Sequence, residues 1–112
     1  MEMEVTYSQD VARVKLRGRL DTPGVDGIET KFTASVVPDA RTAVVDLSEV
    51  SFIASMGLRM FIGIAKALKQ KGATMVLYAP QTQVSEIFAT VLLSNIVPVV
   101  ADEAEAMRIA VV

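Results

Sequence analysis

The chain contains no cysteine and no histidine. The first absence excludes disulfides, thiolate nucleophiles and cysteine-based metal sites. The second removes serine–histidine catalysis, the usual acid–base group near neutral pH and the commonest zinc ligand. Enzyme chemistry would have to rest on scattered Asp and Glu side chains, alone or around a magnesium ion. There is also no Gly-rich phosphate loop of the Walker type. The net charge is −2, without a basic stripe along the sequence, which argues against nucleic acid as a partner. No apolar run approaches the roughly 20 residues that span a bilayer. The start, Met1-Glu2-Met3-Glu4, has neither the basic nor the apolar part of a signal peptide. A cytoplasmic protein without membrane insertion is expected.

What is present suits one small domain. Just over half of the 112 residues are apolar, enough for a sizeable core, and the chain is too short for two. No repeat, low-complexity segment or linker interrupts it, so residues 1–112 are read as a single domain.

Met3–Tyr7 and Val11–Arg17 alternate apolar and polar residues around Ser8-Gln9-Asp10, which predicts a β-hairpin. Gly18-Arg19-Leu20-Asp21 follows, and Thr22-Pro23 marks a helix start. That helix is expected to run to about Val37, with Val25, Ile28, Phe32 and Val36 on one face, and to end at Pro38-Asp39. Thr42–Leu47 reads as a short strand buried on both faces. A helix over Met56–Lys71 is closed by Gly72. Thr74–Ala79 is a strand ended by Pro80, Thr82 to about Leu93 a helix and Val97–Val100 a strand. Asp102–Val111 is a last helix with Asp102, Glu103 and Glu105 at its start. The order β-β-α-β-α-β-α-β-α predicts an α/β fold: an opening hairpin, then alternating helices and strands, in one mainly parallel mixed sheet with helices packed on it. Functional loops in such sheets lie at the carboxyl ends of the strands. Ser55 falls in one such loop, and Asp21-Thr22 falls in another that neighbours it.

Ser55 is the candidate site. The strand is expected to end at Asp46-Leu47, after which a short loop delivers a lone serine to the start of a long helix. Free N–H groups and the helix dipole there favour negative charge, so a phosphate on Ser55 is compatible with the fold. From spacing alone, capping the helix is the commoner role of such a serine. Asp46 and Asp21 likewise match acids that satisfy loop backbone groups. The helix carries two apolar stripes at 100° per residue. Leu58, Phe61, Ile62, Ala65 and Leu68 suit the sheet, while Met56, Met60, Gly63 and Ala67 lie nearly opposite. A helix apolar on both sides is either wholly buried or offers one side to a partner, and spacing leaves both open.

The run Asp46-Leu47-Ser48-Glu49-Val50-Ser51-Phe52-Ile53-Ala54-Ser55-Met56-Gly57-Leu58 resembles the signature of STAS domains, in particular the bacterial anti-sigma factor antagonists. Gly18-Arg19-Leu20-Asp21 resembles a second landmark of that family, and the element order matches nearly the whole chain. The resemblance implies that Ser55 is phosphorylated by an anti-sigma factor that is also a serine kinase of the histidine-kinase-like ATPase type. It further implies that the unmodified antagonist binds this partner and frees a sigma factor, that the phosphorylated form is released, and that a metal-dependent PP2C-type phosphatase resets it. Where the family often has Asp-Ser-Ser-Gly, this chain has Ala54-Ser55-Met56-Gly57. The acceptor hydroxyl is kept, the carboxylate at position 54 is lost, and Met56 enlarges the apolar patch.

The expectation is a single STAS domain that switches partners and is not an enzyme, with no cofactor of its own. Ser55 is the phosphoacceptor, and Asp21, Thr22, Ala54, Met56, Gly57, Arg59 and Met60 form the docking surface. The alternative is a constitutive, unphosphorylated interaction module, such as a subunit of a lipid-transport or signalling complex. A small enzyme or nucleotide binder using the helix start at Ser55 is a third reading, and it has no acid–base pair to rest on.

Overall fold

The strands are β1 (Glu2–Ser8), β2 (Val11–Leu20), β3 (Thr42–Ile53), β4 (Met75–Tyr78) and β5 (Val99–Val100). The helices are α1 (Thr22–Val36), α2 (Ser55–Gln70), α3 (Thr82–Thr90) and α4 (Glu103–Ala110), with a 3₁₀ turn at Leu93–Asn95. This computed structural model describes residues 1–111. Among them the five strands form one sheet in the order β1-β2-β3-β4-β5. The hairpin pairing of β1 with β2 is antiparallel, and every later pairing is parallel. The α/β class, the opening hairpin and the mainly parallel sheet are as the sequence predicts.

Two strands run further than expected. β2 continues past Arg17 to Leu20, and β3 continues past Leu47 to Ile53. Their ladder resumes as Arg17↔Glu49, Gly18↔Val50, Arg19↔Phe52 and Leu20↔Ile53. Irregularities between Lys15 and Arg17 and between Gly18 and Arg19 break the alternation that marks a strand in sequence. Asp46 therefore lies mid-strand, where its Oδ1 accepts from the Ser48 N–H at 2.9 Å. At the other end of the chain, α3 stops at Thr90, because Leu92 takes a left-handed conformation with φ 55°.

The sheet has two unequal sides. Inward residues of β2, β3 and β4, among them Val14, Leu16, Val45, Leu47 and Leu77, pack with α1, α2 and α3 in the main core. The opposite side holds Val11, Val44, Val76 and Tyr78, which Ala106 of α4 covers. The remainder of that side is charged. Arg17 pairs with Glu2, Glu4 and Glu49, and Lys15 pairs with Asp46 and Glu49. Glu49 is held below the ordinary carboxylate range, chiefly by the Lys15 hydrogen bond and then by Arg17.

Helix α2 corrects the expected packing. Gly57, Met60, Phe61, Ile64, Ala65 and Leu68 are its buried residues, spaced as i, i+3, i+4, i+7, i+8 and i+11. Leu58 and Ile62 are only half-buried at the margin of the core. The helix is rotated toward Met60 and Ile64 because α1 flanks it as well as the sheet. Met60 is 1% exposed and belongs to the core. It lines no surface, and the apolar outer face expected around Met56 and Met60 does not exist.

Candidate functional site

Leu20 and Ile53 are register partners at the carboxyl ends of β2 and β3. Each is followed by a residue in extended conformation that opens a helix: Asp21 for α1 and Ala54 for α2. The two helix starts therefore lie side by side, as the sequence predicts for Asp21-Thr22 and Ser55. The Ala54 N–H donates to the Leu20 carbonyl at 3.0 Å. Both starts sit close against the strand ends because the chain has glycine at the contact. A Cβ on Gly57 would stand 2.8 Å from Ile53 Cγ1, and one on Gly24 would stand 2.1 Å from the Arg19 carbonyl oxygen. Gly57 is thus buried and serves packing, so its assignment to the docking surface is corrected.

The two starts differ in their caps. Asp21, not Thr22, caps α1: its Oδ1 accepts from the Gly24 N–H at 2.9 Å. That bond, with help from Arg19 at 3.4 Å, outweighs partial desolvation and holds the Asp21 carboxyl below the usual range. At α2 the cap position is Ala54, which has no side-chain acceptor, and Ser55 is already the first helical residue. Ser55 is exposed, and among the described residues no hydrogen bond engages its hydroxyl. The capping role that spacing favours is therefore vacant, and the hydroxyl is not held by the fold. Of the first-turn N–H groups, that of Gly57 already donates to the Ala54 carbonyl at 2.9 Å, and among the described residues those of Ser55 and Met56 remain available to an anion.

Around Ser55 stand Asp21 and Ala54, half-buried, and Thr22, exposed. Met56 is half-buried, with its sulfur 3.9 Å from a terminal nitrogen of the exposed Arg59. The sequence reading missed Arg19, whose guanidinium lies 4.3 Å from the centre of the Phe52 ring and also pairs with Asp21. It also missed two glutamines at the start of α3. Gln81 Nε2 donates to the Ser48 carbonyl at 3.0 Å and Gln83 Nε2 to the Ser51 carbonyl at 3.1 Å, fastening the irregular part of β3 that leads to Ser55. No local signal distinguishes such glutamines in sequence. The stacked arginine was detectable only as an exposed cation two residues before an acid.

A separate cavity of about 320 Å³ lies on the charged side of the sheet, lined by Glu4, Thr6, Arg13, Lys15, Asp46, Tyr78 and Glu103. Its cations are already matched by its acids: Arg13 pairs with Glu103, and Lys15 with Asp46. Among the described residues, no group of three acidic side chains is placed to hold a metal ion, and no helix is long and apolar enough to cross a membrane.

The sequence matches the STAS domain over residues 2–106. The chain belongs to the STAS domain family. Within it, BtrV of Bordetella bronchiseptica, which carries the name anti-sigma factor antagonist, is 32% identical over 84 residues, covering 75% of this chain and 72% of its own. The STAS fold is equally plain in solved structures. A Thermotoga maritima protein with the same style of name matches with a TM-score of 0.90 at 19% identity, covering 98% of this chain and 95% of that one. SpoIIAA, an anti-sigma factor antagonist solved in its unphosphorylated and phosphorylated forms, matches with TM-scores of 0.73 and 0.72 at 20% identity. Each covers 96% of this chain, and 94% and 97% of SpoIIAA respectively.

Proposed function

We propose that this STAS domain is an anti-sigma factor antagonist that acts by partner switching rather than catalysis. Unmodified, it binds an anti-sigma factor that is also a serine kinase of the histidine-kinase-like ATPase type. Phosphorylation of Ser55 releases it, and a PP2C-type phosphatase returns it to the binding form. The kinase brings its own ATP and magnesium, so the chain needs no cofactor. Asp21, Thr22, Ala54, Met56 and Arg59 surround the acceptor and belong to the docking surface.

One observation carries this reading. Ser55 opens α2 without capping it, so its hydroxyl is exposed and not committed to the fold. A phosphate there adds about −1.5 to −2 charge units at a helix end that tolerates them. In the complex, the same charge meets a surface shaped for a neutral hydroxyl, where desolvation or like-charge contact costs several kcal/mol.

The test is to mix the chain with its candidate kinase and ATP, and to map the product by mass spectrometry. Modification at Ser55 with loss of kinase affinity is expected, as is a Ser55→Ala variant that binds and resists modification. Phosphate only at another residue, or unchanged affinity after full modification of Ser55, would instead favour a constitutive interaction module. Ala54 and Met56, in place of the more usual Asp and Ser, fit that second reading.

A further inference from the structure

Ser55 heads a face of α2 that is exposed along its whole length. At 100° per residue Ser55, Arg59, Gly63, Lys66 and Gln70 align, and all five are exposed. Lys69 lies at the margin and Lys71 is the residue on which the helix ends. From Ser55 to Lys71 the chain has Arg59, Lys66, Lys69 and Lys71 and no Asp or Glu, so four of its eleven basic residues have no acid within their own segment. The cations of the sheet are paired: Arg13, Lys15, Arg17 and Arg19 each sit against a carboxylate. Among the described residues, none of the four on α2 does.

We infer that this basic strip docks an acidic strip on the partner protein, and that Lys66 and Lys69 determine which partner fits. The inference rests on the partner-switching reading and deepens it. It replaces the methionine face expected from the sequence with an electrostatic one. A protein surface fits the strip better than nucleic acid does. From Arg59 to Lys69 the strip spans only about 15 Å at the helical rise, and its aligned residues include no aromatic ring on which a base could stack. The rest of the chain sets seven basic residues against thirteen acidic ones, a field that repels an extended polyanion.

The location of Ser55 then acquires a second meaning. It lies one turn before Arg59, at the spacing where side chains on a helix meet. A phosphate on Ser55 offsets part of the strip's positive charge and presents the partner's acids with a like charge. Release follows from sign alone.

The test measures binding of the anti-sigma factor kinase by calorimetry at about 0.05 and 0.3 M salt, which changes the screening length about 2.5-fold. The variants are Lys66→Glu, Lys66→Gln and Lys66→Glu with Lys69→Glu. Arg108→Glu on α4, across the sheet, is the control, and circular dichroism checks folding. Wild-type affinity is expected to fall with salt, and each charge reversal to weaken binding about tenfold or more. Lys66→Gln is expected to lie between, and Arg108→Glu to match wild type. If the wild type binds with an affinity indifferent to salt and to Lys66→Glu, the strip is overturned while the switch stands. If the wild type binds at neither salt, both fall. Retention on phosphatidylglycerol vesicles, lost in Lys66→Glu without change in kinase affinity, would assign the strip to a lipid surface and overturn the inference.

Discussion

The N–H of Ala54 donates to the carbonyl of Leu20 at 3.0 Å, carrying the β2–β3 ladder one residue beyond the end of β3. The bond ties the turn into α2 to the residue that precedes the cap of α1, so the two helix starts are joined directly through backbone. Gly24 and Gly57 close the arrangement from beneath. Under the proposed switch, a change of charge at Ser55 then needs no change of shape at the helix starts.

The two glycines should not tolerate alanine equally. At Gly57 the new methyl meets a side-chain atom, Ile53 Cγ1 at 2.8 Å, and Leu20 close by. Repacking there is expected to cost about 1–3 kcal/mol. At Gly24 it meets the Arg19 carbonyl oxygen at 2.1 Å, and backbone cannot rotate away. Gly24→Ala should therefore lower the urea midpoint more than Gly57→Ala, or prevent folding altogether. The reverse ranking would contradict the close seating of α1.

Removing the polar side chains at the two helix starts should have unequal consequences. Ser55→Ala is expected to leave stability within about 0.5 kcal/mol of wild type, since the hydroxyl caps nothing. Asp21→Ala removes the cap of α1 and should lower the urea midpoint. The Asp21 carboxyl is depressed by the Gly24 N–H and by Arg19, so its folded pKa lies below its unfolded one. Its contribution is present above the ordinary carboxylate range near 4 and is lost as pH falls through the folded value. The gap between wild type and Asp21→Ala should narrow below about pH 4. A gap that is constant down to pH 2 would refute the carboxylate cap.

Inside α2, Met60 and Phe61 should behave as core. Phe61 is fully buried, and Phe61→Ala is expected to cost about 3–5 kcal/mol. Met60→Asp places an unpaired charge in the same apolar volume and should unfold the free chain. A folded Met60→Asp protein in circular dichroism would restore the outward methionine face.

Tyr78 provides a check on the other side of the sheet. Its hydroxyl donates to Glu103 at 3.3 Å. Burial first, and then the charges of Asp46 and Glu103, push its pKa up to about 12. In the unfolded chain the phenol ionises near 10, so stability is full below that pH and declines between about 10 and 12 as only the unfolded state gives up its proton. Phenolate absorbance in a Tyr7→Phe background isolates Tyr78, since the chain has two tyrosines. Folded protein titrating near pH 10 would remove this contribution.

The sequence was most legible where one periodicity held without interruption. Val25, Ile28, Phe32 and Val36 announce α1, and they are its buried face together with Gly24. The alternation of β1 and early β2 announces the hairpin. Legibility failed where two partners compete for one residue. The ends of β2 and β3 are paired, but their irregular register scrambles the alternation, so Ser48–Ile53 reads as loop. On α2, apolar residues occur around most of the circumference, and only the position of α1 decides that Met60 and Ile64 go inward while Ile62 stays at the edge. Ser55 was found by its place after a strand and by resemblance. That its hydroxyl is free depends on the cap falling one residue earlier, a matter of backbone angle at Ala54 that no residue type reveals.

Helix α4 buries a single residue, Ala106, and its side of the sheet is the smaller of the two cores. Little surface would need to be exposed for it to lift away, whereas α1 and α2 are held by the main core beneath them. The two sides of the sheet will therefore not loosen together. Amide protons of α4 should exchange with solvent well before those of α2, through an opening that leaves the start of α2 undisturbed. The domain can breathe at one side while the start of α2, with Ser55 on it, keeps its shape on the other.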